Sequence, residues 1–226
     1  AEKIAVKRRW VHRISPDIPL DQAALIEPLS VGHHAVARSG AGAGDVALIT
    51  GAGPIGLLTA AVCKAEGITT IISEPSALRR EKAISSGVAD HAIDPAADDV
   101  VRRVTEIAPG GADVGFECTS VQPALDVLFD ALAPTGVLVV VSIWGHPGSV
   151  EMQKLVLKEI DMRGTIAYVN DHPATIALVE EGKVDLAPFI TGRIGLDNLI
   201  DDGFDTLIHR NETAVKILVS PSGAGI

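Results

Sequence analysis

Cysteine is nearly absent from this sequence of 226 residues: Cys63 and Cys118 are the two. Two thiols make neither a disulfide framework nor a cysteine metal cluster. Cys63 falls on the apolar face of a helical pattern, where a thiol behaves as a small buried group. Positive charge is also scarce. Nineteen Lys and Arg face 29 Asp and Glu, for a formal net charge of −10, which argues against nucleic acid and anionic membranes as partners. Long apolar runs are missing too. The longest, Gly136 to Ile143, has the length of a strand, far short of the about 18 residues of a membrane span. The opening AEKIAVKRRW has no initiator Met and no signal-peptide h-region, so a reducing cytoplasm is the expected location. No repeat or low-complexity tract is found. What the chain does have is 47% hydrophobic residues, enough to fill a globular core of one large domain or one and a half small ones.

The rest of the sequence is organised around DVALITGAGPIGLLTAAVCKAEGITTIISE, Asp45 to Glu74. A short apolar run, Val46 to Ile49, leads through Thr50 into Gly51-Ala52-Gly53-Pro54-Ile55-Gly56, which is G-x-G-x-x-G. A helical pattern follows and stops at Gly67. A β-rich run, Ile68 to Ile72, then ends on Ser73-Glu74. Strand, glycine turn, helix, strand and acidic end form the dinucleotide-binding fingerprint in its required context. Gly51 permits the turn, Gly53 lets a pyrophosphate approach the backbone, and Gly56 allows close helix packing. Pro54 suits a first helical turn, whose free N–H groups attract phosphate. Glu74 lies 18 residues past Gly56, where a carboxylate can accept both adenosine ribose hydroxyls. It also disfavours a 2′-phosphate: like charges about 4 Å apart repel by roughly 4 kcal/mol at an effective dielectric of 20. NAD is therefore expected over NADP, with Arg79 and Arg80 as the residues that could reverse the preference. A glycine turn in another α/β protein, or a methyltransferase, is the competing reading of the motif.

Residues 1–13 read as a half-exposed strand with a basic face, and Asp21 as the cap of a helix running through Ile26. A second helical pattern passes His34 and Val36, and the glycine-rich Ser39–Gly44 is a loop entering the first strand. After Glu74, Ser76 caps a helix to Gly87, and His91–Ile93 is a short strand. Ala96–Ile107 is a helix, Val114–Cys118 a strand, and Pro123–Leu132 a helix. Val137–Ile143 is a buried parallel strand, Ile160–Tyr168 a sixth strand, and Pro173–Glu181 a helix. The expected fold is α/β: a doubly wound, six-stranded parallel sheet of the Rossmann type in the order 3-2-1-4-5-6. The tail, with an amphipathic helix over Leu196–Ile208 and a strand over Ala214–Val219, is not needed to complete that unit.

EPLSVGHHA, GAGPIG, SEPSALRR, FECTSVQPALD, VVVSIWGHPG and TAVKILVS stand in this order along the chain. On these motifs the sequence resembles the zinc-dependent medium-chain alcohol and polyol dehydrogenases, in particular the 2,3-butanediol and sorbitol dehydrogenase branch. The resemblance covers nearly the whole chain, and EPLSVG at a fixed distance before the glycine motif is its most specific part. It implies that residues 1–28 end the N-terminal segment of a GroES-like catalytic domain, 29–185 form the NAD-binding domain, and 186–226 return to the catalytic domain. In that family the zinc ligands, the proton relay and most substrate contacts precede the position of Ala1, so the chain looks like a fragment without the first third.

By the same resemblance, Glu27 matches the acidic residue that approaches the catalytic zinc. Ile55 and Gly56 match backbone contacts to the pyrophosphate, Glu74 the ribose acceptor and Arg79 an adenosine-side contact. Cys118, Thr119, Val141, Ser142 and Ile143 match segments flanking the nicotinamide, as do Thr165, Ile166 and Ala167. Tyr168 matches a substrate-side position. The sorbitol enzymes carry Arg where this chain has Ala167, which turns the expectation towards a small vicinal diol or hydroxyketone. His34, His146 and His172 are candidate acid–base groups, each with a structural role as the competing reading. The implied activity is zinc-assisted hydride transfer from a secondary alcohol or diol to NAD in a homodimer or larger assembly. Zinc belongs to the full-length enzyme and is not held by this chain alone. An NAD-binding module without catalysis is the alternative, followed by a zinc-free quinone-reductase relative.

Overall fold

The computed structural model describes residues 3–212 and 214–221; Thr213 of the TAVKILVS motif and residues 1–2 of the basic N-terminal stretch lie outside them. In chain order the helices are α1 (Leu20–Ala23), α2 (Ile26–Ser39), α3 (Pro54–Ala65), α4 (Ala77–Ser85), α5 (Val100–Ile107), α6 (Gln122–Ala131), α7 (Met152–Leu157), α8 (His172–Glu180) and α9 (Asp205–His209). The strands are β1 (Val46–Thr50), β2 (Thr69–Ser73), β3 (His91–Ile93), β4 (Ala112–Glu117), β5 (Leu132–Val140), β6 (Asp161–Gly164), β7 (Ile190–Gly195) and β8 (Lys216–Ser220). The first six form one parallel sheet in the order β3-β2-β1-β4-β5-β6. This is the doubly wound order expected from the sequence, with its switch point between β1 and β4.

The side-chain alternation of β1 explains the two layers. Ala47 and Ile49 enter one core with Leu29 and Val36 of α2, Leu57 and Val62 of α3, and Ile176 of α8. Leu48 enters the other with Val104 of α5 and Leu125, Leu128 and Phe129 of α6. All three β1 residues have no exposed surface. Fully burying a side chain of this size contributes roughly 1.5–3 kcal/mol, so the strand behind the glycine turn is anchored on both faces.

Polar groups fasten the outer strand. Arg163 of β6 donates to the carbonyls of Arg38 (2.7 Å) and Ser39 (3.0 Å), while Arg38 donates to the Gly164 carbonyl at 2.9 Å. The last turn of α2 is thereby clasped to the edge of the sheet. Lys158 donates to the carbonyls of Phe129, Asp130 and Leu132 at 2.7–3.0 Å. Those are carbonyls that the end of α6 leaves without helical partners.

Several expectations need correction. The described residues up to 13 hold no strand, just a 3-10 turn at Arg8–Trp10; the alternating stretch pairs with neither sheet. Asp21 does not cap a helix. It lies inside α1, accepts the Gln22 amide and pairs with Arg193 at 2.6 Å. The helix begun at Ala96 starts at Val100, because the Asp99 carboxylate accepts the Arg102 amide and sets the N-cap. β5 ends at Val140, leaving Ile143 exposed. β6 stops at Gly164, short of Tyr168, since Ala167 and Asn170 take positive φ. The single tail helix is broken into 3-10, π and α segments over Leu196–His209, with Ile200 and Ile208 exposed. Helix α7 and strand β7 were not anticipated. β7 pairs in parallel with β8 in a separate two-stranded sheet, and Phe189 and Val215 beside them pack into the main core.

Candidate functional site

At the carboxyl end of β1 the chain turns sharply at Gly51, whose φ is +91°. The turn is held from β2: the Gly51 amide donates to the Ser73 carbonyl at 2.8 Å, and the Ala52 amide to Glu74 Oε2 at 2.8 Å. Glu74 Oε1 accepts the Ser76 amide at 2.9 Å, and the residue is 5% exposed. An acidic strand end thus braces the glycine turn. α3 begins with Pro54 in its first turn behind Gly53, and no side chain caps it, so its first amides are not satisfied by a cap. A Cβ placed on Gly53 would meet nothing within 4 Å, whereas one on Gly56 would stand 2.0 Å from the Gly51 carbonyl oxygen. Gly56 serves close packing; Gly53 leaves an open face. This is a cradle a phosphate can enter, and the residues fit a dinucleotide.

Beside the turn lies an apolar cleft of about 360 Å³, lined by Thr50, Ser73, Pro75, Pro95, Val121 and Val127 among others, with Asp98 and Asp99 in its wall. Of the two arginines, Arg80 donates to the carbonyls of Glu74 and Pro75 at 2.7 Å and pairs with Asp94 at 2.9 Å. Arg79 donates to the Asn211 carbonyl at 2.8 Å.

Across the switch point, Glu117 at the end of β4 has no exposed surface. Its Oε1 accepts the Thr119 amide (2.6 Å), the Thr119 hydroxyl (2.6 Å) and the Ser120 amide (2.8 Å). Its Oε2 accepts the Ser142 hydroxyl and the Trp144 indole N–H, the latter at 3.0 Å. Burial pushes this carboxyl up, but the donors from Ser142, Thr119 and Trp144 outweigh it and hold the group below the ordinary carboxylate range. Burial and the neighbouring Glu117 charge push the Cys118 thiol up, so the sulfur is a neutral packing group. Val141 is buried and Ser142 half-buried, while Ile143 and Ile166 are exposed. Thr165 donates its amide to the Val140 carbonyl at 3.1 Å, and its hydroxyl is buried without a partner among the described residues. Ala167 sits at φ 49°.

A third group lies on the α2 and α8 side. Glu27 is exposed in the first turn of α2 and lies close to the Tyr168 phenol; burial and the neighbouring Glu27 carboxylate push the phenol up. The Tyr168 ring meets His172 edge-on at 4.5 Å, and His172 stacks on His12 at 5.2 Å. Burial and the neighbouring His12 push His172 down, against the pull of Glu27 and Asp171. His34 and His33 both bind the buried Asp171, at 3.0 and 2.7 Å, tying α2 to α8. His146 is exposed and edge-on to Trp144. Among the described residues, no three His, Cys, Asp or Glu side chains are grouped so as to hold a metal ion, so the residues present do not fit a zinc site, and no described helix is long and apolar enough to cross a membrane.

Sequence reasoning passed over Glu117, although it stands in FECTS beside two chosen residues. It also passed over Asp171 and His33. A carboxylate following the apolar Val114-Gly115-Phe116 at the end of a strand was the available signal for Glu117.

Residues 54–181 match the model of the family described as zinc-binding dehydrogenase. Of the curated relatives, the (R,R)-butanediol dehydrogenase of Neisseria gonorrhoeae is 64% identical over 98% of this chain and 63% of its own length. That of Bacillus subtilis is 37% identical over 98% of this chain and 64% of its own length. The crystal structure of the Bacillus subtilis 2R,3R-butanediol dehydrogenase superposes with a TM-score of 0.87 over 92% of this chain and 60% of that one. A doubly wound sheet with an open glycine turn and an acidic second strand end is the architecture of a dinucleotide-binding domain, and the chain belongs to the zinc-binding dehydrogenase family. It spans less than two thirds of the length of these relatives.

Proposed function

We propose that this chain is the NAD-binding portion of a dehydrogenase that oxidises a secondary alcohol or vicinal diol, 2,3-butanediol-like, to the ketone. The observation that carries the reading is the uncapped N-terminus of α3 behind the open Gly53, with Glu74 closing the second strand. Gly51, Gly53, Pro54, Ile55 and Gly56 cradle the pyrophosphate. Glu74 receives the ribose, Arg79 lies on the adenosine side, and the adjoining apolar cleft is sized for an adenine. Arg80, paired with Asp94, is not free to seek a 2′-phosphate, which supports NAD over NADP. Cys118, Thr119, Val141, Ser142, Ile143, Thr165, Ile166 and Ala167 bound the nicotinamide side. NAD, when bound, supplies the hydride acceptor. The chain's part is to hold it and to exclude water.

Glu27 is proposed as a carboxylate at the margin of a zinc site whose other ligands the described residues do not supply. Tyr168, whose phenol the nearby Glu27 carboxylate pushes up, stands on the substrate side. The relatives named for butanediol support a small vicinal diol. The division into 1–28, 29–185 and 186–226 is proposed on the same likeness. So is a homo-oligomer that covers the edge of β6 and the stretch after it, where Met162 and Ile166 are exposed. A cytoplasmic location fits these roles.

Titration of the purified protein with NADH, NADPH and ADP-ribose tests the cofactor; NADH binding with much weaker NADPH is expected, and the absence of both refutes it. Oxidation of 2,3-butanediol with NAD, abolished by a chelator, is expected of the full-length protein. The second reading, a module that binds NAD without turnover, is favoured by the lack of any group of three metal-binding side chains among the described residues; chelator-sensitive turnover excludes it.

A further inference from the structure

We propose that Glu117 is a positioning residue whose carboxylate sets the loops after β4 and β5 in the arrangement that receives the nicotinamide half of the cofactor. The inference rests on the NAD-binding reading above.

One buried side chain collects five donors from both loops: two from Thr119, one from Ser120, and one each from Ser142 and Trp144. Its backbone carbonyl takes two more, the amides of Val141 (2.9 Å) and Ser142 (3.1 Å). The exits of β4 and β5 are therefore referred to a single residue. Ser120 is held at φ 56°, a conformation few L residues adopt unaided, and its amide is shared between Glu117 Oε1 and Ser142 Oγ. The β4 loop in turn walls the glycine turn: a Cβ on Gly51 would come within 2.8 Å of the Thr119 Cγ2. Strand register places Glu117 directly beside Thr50, the last residue before that turn. A shift of Glu117 would move both loops at the open end of the sheet, while Glu74 on the other side of β1 would still hold the adenosine end.

Charge is the part of this arrangement that an isosteric variant removes. A glutamine keeps one acceptor oxygen for Thr119 and Ser120, but presents an NH₂ to Ser142 and Trp144. The Ser142 hydroxyl can turn and accept; the Trp144 indole N–H cannot, so two donors would face each other. Glu117→Gln should then misplace the β5 loop, and Trp144→Phe in the same chain should relieve the conflict.

The test is parallel titration with NADH and with ADP-ribose, which lacks the nicotinamide, alongside melting temperatures. Glu117→Gln is expected to weaken NADH at least tenfold and ADP-ribose less than twofold, with part of the NADH affinity restored in Glu117→Gln/Trp144→Phe. Equal weakening of both ligands in step with a lowered melting temperature, or no weakening of either, overturns the proposal. Should Glu117→Gln fail to fold, Ser142→Ala and Trp144→Phe each remove one donor and must show the same split between the two ligands; equal effects overturn it. A wild-type protein that binds neither ligand overturns the NAD-binding reading and this inference with it. Wild-type binding that Glu117→Gln leaves intact overturns this inference alone.

Discussion

Glu74 reaches back from the end of β2 to accept the amide of Ala52, 22 residues earlier, at 2.8 Å, and both groups are buried. The residue proposed to receive the ribose therefore also shapes the turn that receives the phosphates. Glu74→Ala leaves the Ala52 amide without a partner; an unsatisfied buried donor costs about 1–3 kcal/mol. The melting temperature should fall and NADH binding should weaken. Because the carboxylate also repels a 2′-phosphate, the ratio of NADPH to NADH affinity should rise in the variant. An unchanged ratio in side-by-side titrations would show that Glu74 does not face the ribose.

Gly53 and Gly56 separate binding from folding. A Cβ at Gly53 points into open space, at an ordinary φ of −75°. Gly53→Ala should fold with a melting temperature within a few degrees of wild type, yet lose NADH affinity by at least tenfold, because the methyl occupies the phosphate's approach. Gly56→Ala drives a methyl to 2.0 Å from the Gly51 carbonyl oxygen. Backbone must move, and overpacking of this kind costs about 1–3 kcal/mol or more. The pair of melts and titrations should show one variant impaired mainly in binding and the other impaired in both.

The centre of the sheet was legible because β1, β2 and β4 are largely buried on both faces and the turns between β1 and β3 carry glycines, so period and punctuation agree over Asp45–Gly87. β7 escaped because ITGRIG contains two glycines and an arginine, which by propensity read as loop; its pairing with β8 is a long-range event that no local pattern announces. β6 was drawn too long for the opposite reason: Thr165-Ile166-Ala167-Tyr168 has strand composition, but Ala167 sits at φ 49°, outside any strand conformation. In the site, the glycine turn and Glu74 could be read from spacing. The Glu117 network could not, because its donors Thr119 and Trp144 come from different loops and meet only when β4 and β5 pair.

Thr165 carries a buried hydroxyl with no hydrogen-bond partner among the described residues. Replacing it with the near-isosteric Val removes an uncompensated polar group, so Thr165→Val should stabilise the protein by about 1 kcal/mol and raise its melting temperature by a few degrees. If the nicotinamide carboxamide reaches this hydroxyl, the same variant should bind NADH more weakly while ADP-ribose binding stays level. A variant that is both less stable and unaltered in binding would mean that the hydroxyl has a partner after all.

Acid should weaken the fold through carboxylates that folding holds low, Glu117 and Asp90 among them. Burial raises Glu117, and the donors from Ser142, Thr119 and Trp144 more than reverse it. Burial raises Asp90, and the bonds from Lys64 and Thr70 more than reverse it. A carboxyl held lower in the folded state than in the unfolded one binds its proton less readily when folded. Its stabilisation is complete above the unfolded value and is lost as the pH falls through the folded one. Melting temperature should therefore be flat near neutrality and decline between about pH 5 and pH 3. Asp90 is partly exposed beside Lys64, so solvent screens its share, and Asp90→Asn should flatten the decline slightly. Glu117 has no exposed surface, and Glu117→Gln, though less stable at neutral pH, should flatten it more. The informative quantity is the difference in slope between wild type and Glu117→Gln over that acid range. Parallel slopes would mean that the five donors do not hold the Glu117 proton off in the folded chain.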